Sequence, residues 1–70
     1  MKAITIQTEH SVYIRIESSL FPPVTFMPCR TQNGYTIKSR KYNIDREFND
    51  LHNAGEYLKK RVIQRLTALN

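Results

Sequence analysis

Between Lys2 and Glu17 apolar and polar residues alternate with a period of two: Ile4 and Ile6, a polar stretch, then Val12, Ile14 and Ile16. That period belongs to half-buried strands, so the segment predicts a β-hairpin with strands over about 2–8 and 11–17. A two-residue loop at Glu9 and His10 would set Ile6 opposite Tyr13 and divide the isoleucines between the two faces. A three-residue loop, Thr8-Glu9-His10, sets Ile6 opposite Val12 and Ile4 opposite Ile14, and is the expected one. Such loops need a residue at positive φ, a position that falls to His10 here.

The alternation breaks at SSLFPPV, residues 18–24, where two prolines remove ladder donors and favour an extended, stiff connection. A second hairpin is predicted with strands over about 24–31 and 35–42 around Asn33-Gly34, a dipeptide suited to the two positive φ values of a type I′ turn. That turn puts Val24, Phe26, Tyr35 and Ile37 on one face, and Thr36, Lys38, Arg40 and Tyr42 on the other. Pro28 within the run marks an edge strand or a bulge.

From about Asp45 the period turns helical: Leu51, Ala54, Leu58, Val62, Leu66 and Leu69 fall three or four apart on one stripe. One helix over about 45–68 is predicted, with Asn43, Asp45 and Asn49 as candidate N-caps. Gly55 at the stripe's margin costs about 1 kcal/mol against alanine, which fits a close crossing over the sheet. The expected fold is therefore α+β: a four-stranded antiparallel sheet of two successive hairpins, with one C-terminal helix packed on one face. All 70 residues form one domain with a thin core.

Composition narrows the function. A single cysteine, Cys29, excludes an intrachain disulfide and agrees with a reducing, cytoplasmic compartment. No run approaches the length of a membrane span, and the N-terminus lacks the continuous apolar core of a signal peptide. No membrane association is expected. The net charge of +5 arises entirely after Cys29, in Lys38, Arg40 and Lys41 and again in Lys59, Lys60, Arg61 and Arg65. Concentrated positive charge favours an anionic partner.

Catalytic signatures are missing. Both glycines have local structural explanations, which leaves no phosphate loop, and nothing in the spacing brings Cys29 to His10 or His52. His52 and Glu56 share a helical face but supply only two of the three or four ligands a metal wants. Asp45, Glu47 and Asp50 read as acids offsetting a helix macrodipole. No enzymatic activity, metal, cofactor or small-molecule substrate is expected.

A helix covering one face of the sheet would leave the other open, with Lys38, Arg40 and Tyr42 on it, joined by Tyr13 and Arg15 from the first hairpin. Bases beside aromatics suit phosphates and unpaired bases. A nucleic-acid-binding or regulatory accessory protein using that face is the leading expectation, with Lys59 and Lys60 adding attraction; β-propensity and protection of edge strands account for the same residues without a ligand. The alternative is a protein-interaction module, a homodimer or an inhibitor of a larger partner, using Tyr57 and Ile63, which lie off the helix's apolar stripe.

Overall fold

The computed structural model describes residues 1–68. Six strands precede one helix: β1 (Lys2–Gln7), β2 (Val12–Ser18), β3 (Phe21–Phe26), β4 (Cys29–Thr31), β5 (Gly34–Ser39), β6 (Ile44–Phe48) and α1 (Leu51–Ala68). The class is α+β, but the strands form two three-stranded antiparallel sheets, β1-β2-β3 and β4-β5-β6, where one four-stranded sheet was expected.

The first hairpin adopts the register that parity disfavoured. Ile6 stands opposite Tyr13, and Gln7 opposite Val12. The Thr8 backbone N–H donates to the Ser11 carbonyl at 2.8 Å, and the Ser11 N–H to the Thr8 hydroxyl at 2.9 Å. Backbone and side-chain hydrogen bonds together close the turn, and His10 does not adopt positive φ. The shift turns Ala3 and Thr5 toward the helix beside Ile16 and Ile14, and leaves Ile4 and Ile6 half-buried on the opposite face. Packing explains the exchange: a Cβ added to Gly55 of α1 would lie 3.1 Å from the Ala3 Cβ. The predicted close crossing is there, and an isoleucine at that point would hold the helix away.

The prolines of 18–24 lie inside β3 rather than in a connection, on an edge strand and opposite the register shift between Ile16 and Ser18, where missing donors are tolerated. β3 pairs with β2, and buried Pro28 separates it from β4. In the second sheet the turn is Gln32-Asn33, since Thr31 pairs with Gly34. The Asn33 N–H donates to the Thr31 hydroxyl at 3.3 Å. Gly34 still needs to be glycine, at φ 153°, because a Cβ there would collide with the Phe48 carbonyl oxygen.

The helix begins at Leu51, not near 45, because Ile44–Phe48 is a strand. Ile44 and Phe48 are both buried, and a spacing of four serves a strand as well as a helix. Asp50 is the N-cap: its carboxylate accepts the Asn53 backbone N–H at 2.8 Å. Asp45 and Glu47 therefore belong to β6 and leave the first helical turn without acids.

One core joins everything. Ile14, Ile16 and Phe26 come from the first sheet, Ile37, Ile44 and Phe48 from the second, and Ala54, Leu58 and Val62 from α1. Burying each large aliphatic side chain among them contributes about 1.5–3 kcal/mol. The helix lies against β1, β2 and β6. Of its predicted stripe, Leu51 is half-buried and Leu66 sits at the exposed margin, while Leu69 lies outside the described residues.

Candidate functional site

The fold disperses the expected binding face. β5 ends at Ser39, and Arg40–Asn43 form the turn to β6, stabilised by an Asn43 N–H bond to the Arg40 carbonyl at 3.2 Å and by Asn43 in the left-handed region at φ 55°. Lys38 remains on the outer sheet face, but opposite Asp45 and beside the Thr36–Glu47 pair. Arg40 is exposed in the turn. The Tyr42 ring turns inward and meets Phe26 edge-on, 5.4 Å between centroids. Tyr13 and Arg15 share the outer face of the other sheet, where Arg15 Nε lies 2.9 Å from the Glu17 carboxylate.

A different cationic arrangement takes shape where that turn meets the helix. Arg61 points from α1 into the turn, its Nη2 donating to the carbonyl oxygens of Tyr42 at 3.0 Å and Asn43 at 2.9 Å, and its Nη1 to the Gln64 side-chain oxygen at 3.0 Å. Each acceptor is neutral, and Nε is buried with no hydrogen-bond partner. No carboxylate within the described residues offsets this charge by an ion pair. An open groove of about 220 Å3 follows, lined by Lys41, Tyr42, Asn43, Arg61, Gln64 and Arg65 with Ala68 at its end. Among the described residues three cations and two amides line it, and no acid does.

Lys41 and Arg61 lie at opposite ends of a 20-residue interval, so only the tertiary fold brings the two basic segments together. The sequence placed both segments among the sources of excess charge; it held no local signal for their meeting. Lys59 and Lys60 stay outside the groove. The Lys59 ammonium lies 3.0 Å from the Glu56 carboxylate and, through that hydrogen bond, holds the exposed Glu56 below the usual carboxylate range. Lys60 lines a separate depression with Arg46, Glu47, Glu56 and Tyr57, where charges of both signs mix.

Of the two candidate interface residues, Tyr57 is half-buried: it packs against Phe48 at 5.3 Å, and the Arg46 guanidinium covers its ring at 4.8 Å. Ile63 is exposed at 47%. His10 and exposed Cys29, unrelated by sequence spacing, line one cleft of about 390 Å3 with Glu9 and Arg30, while His52 lies on the helix elsewhere. Among the described residues no group of three or more His, Cys, Asp or Glu is arranged to hold a metal ion, and no helix is long and apolar enough to cross a membrane. Comparison of the chain with protein-family models, with curated proteins and with solved structures finds no match.

Proposed function

We propose that the protein is a nucleic-acid-binding or regulatory accessory module that holds phosphates in the groove between the Arg40–Asn43 turn and the C-terminal half of α1. One observation carries this reading: Lys41, Arg61 and Arg65 converge on a single groove that no carboxylate among the described residues lines. Arg61 is occupied by backbone carbonyls and acts as the positioning residue, leaving Lys41 and Arg65 to reach phosphate oxygens. Arg40, exposed in the same turn, adds to the local potential. The outer sheet faces favour the role less, because Lys38 stands opposite Asp45 and Arg15 is paired with Glu17.

Binding of fluorescently labelled DNA measured at several salt concentrations tests the proposal. Lys41→Ala/Arg65→Ala is expected to lower affinity about tenfold or more and to reduce the salt slope by about two, one for each lost phosphate contact. Lys38→Ala/Lys60→Ala removes the same charge from outside the groove and is expected to cost less than about threefold. Equal losses in the two pairs, or no binding by the unaltered protein at low salt, would overturn the groove as the site.

The first sheet favours a second reading. Ile4, Ile6 and Tyr13 lie together on the face turned from α1, an apolar group suited to a protein partner or a second copy of the chain. A dimeric mass in solution that becomes monomeric in Ile4→Ser/Ile6→Ser would favour it.

A further inference from the structure

The aromatic residues at the cationic end of the molecule bear on which form of nucleic acid the groove takes. Proteins that grip single strands pair a basic track with aromatic rings whose open faces stack on unpaired bases. Here the one aromatic residue in the groove, Tyr42, is half-buried, with its ring against Phe26 and the Lys41 ammonium 5.7 Å from its centroid. Tyr57, the tyrosine of α1, carries Arg46 over its ring and Phe48 beside it. The side chains left to a ligand are the charges of Lys41 and Arg65 and the amides of Asn43 and Gln64, all suited to phosphate oxygens, with no open aromatic face among them.

From this we infer that the groove's ligand is double-stranded nucleic acid, held by its backbone without reading of sequence, an inference that rests on the proposed nucleic-acid function. A duplex presents phosphates at twice the axial density of one strand and keeps its bases inside the stack. The groove matches the first property and makes no use of exposed bases.

The test compares a short mixed-sequence DNA duplex, a second duplex of unrelated sequence, and the separated strands of the first, by fluorescence anisotropy at equal salt. The unaltered protein is expected to bind both duplexes within about twofold of each other and several-fold more tightly than either strand, the direction set by the duplex's greater phosphate density. Lys41→Ala/Arg65→Ala is expected to weaken duplex binding about tenfold. Strands bound as tightly as the duplex, with that double variant still weakening them, would overturn the duplex inference and leave the nucleic-acid function standing. A duplex preference that depends on sequence by more than about tenfold would overturn the backbone-only mode, since base contacts discriminate at that level. Absence of binding to every probe would overturn both the inference and the function beneath it.

Discussion

Arg61 and Asn43 are joined across the molecule: the Arg61 Nη2 donates to the Asn43 carbonyl at 2.9 Å and, from the same nitrogen, to the Tyr42 carbonyl at 3.0 Å. One guanidinium therefore ties the third turn of α1 to the loop between β5 and β6. The groove lies at that tie, and its two reaching cations come from the two elements so joined.

Removing the tie should cost stability and binding together. Arg61→Ala is expected to destabilise the fold by about 2–3 kcal/mol, since it deletes charge-assisted bonds and leaves two carbonyls to find water. Arg61→Lys is expected to recover less than half of that loss, because an ammonium lacks the planar fork that spans two acceptors. Urea unfolding of the three proteins measures this; equal stability in Arg61→Ala and the unaltered chain would show that the tie contributes nothing.

Asn43 tests the turn itself. Its φ of 55° is open to asparagine and glycine at little cost, but Asn43→Val forces a β-branched residue into the left-handed region. A loss of about 1–3 kcal/mol is expected for Asn43→Val, and less than about 0.5 kcal/mol for Asn43→Gly. Thermal melts of the two variants separate a conformational requirement from a side-chain contact.

At Gly34 the obstacle is a neighbouring backbone. A Cβ would run into the Phe48 carbonyl, so even Gly34→Ala is expected to cost about 2 kcal/mol or more, and Gly34→Val at least as much. An unchanged melting temperature for Gly34→Ala would contradict the close approach of β6.

The register of the first hairpin makes a prediction that the alternative pairing would reverse for Ile6. Ile14 is fully buried, and Ile14→Ala is expected to cost about 2–5 kcal/mol. Ile6 lies half-buried on the far face, and Ile6→Ala is expected to cost less than about 1.5 kcal/mol. Comparable losses at both positions would restore the register in which all the isoleucines share one face.

Much of the fold was legible from local pattern. Alternation located β1 and β2, and the spacing of Ala54, Leu58 and Val62 located the buried stripe of α1. Gly55 announced the crossing that Ala3 completes. Errors arose where a local signal was outweighed by a distant contact. Putting every isoleucine on one face looked favourable within the hairpin, but the helix needed the small Ala3 beneath Gly55. Ile44 and Phe48, four apart, also fit a helical period, and the strand between them became evident only once β5 supplied its partner. Arg46 sits between them on the inner side, where a charge would argue against burial; its guanidinium instead covers the Phe48 and Tyr57 rings at the margin of the core. The candidate site was half legible for the same reason. Both basic segments were visible, but their junction depends on hydrogen bonds from Arg61 to carbonyls 18 and 19 residues away, for which side-chain identity offers no code.

The groove as phosphate-binding site is tested most directly by residue-resolved NMR of the labelled protein titrated with a short DNA duplex at low salt. The largest amide shifts are expected at Lys41, Tyr42, Asn43, Gln64 and Arg65, fading as salt is raised because counterion release drives the contact. Shifts concentrated instead at Tyr13, Arg15 and Lys38 on the outer sheet faces, or at His10 and Cys29 in their shared cleft, with the groove silent, would contradict the account.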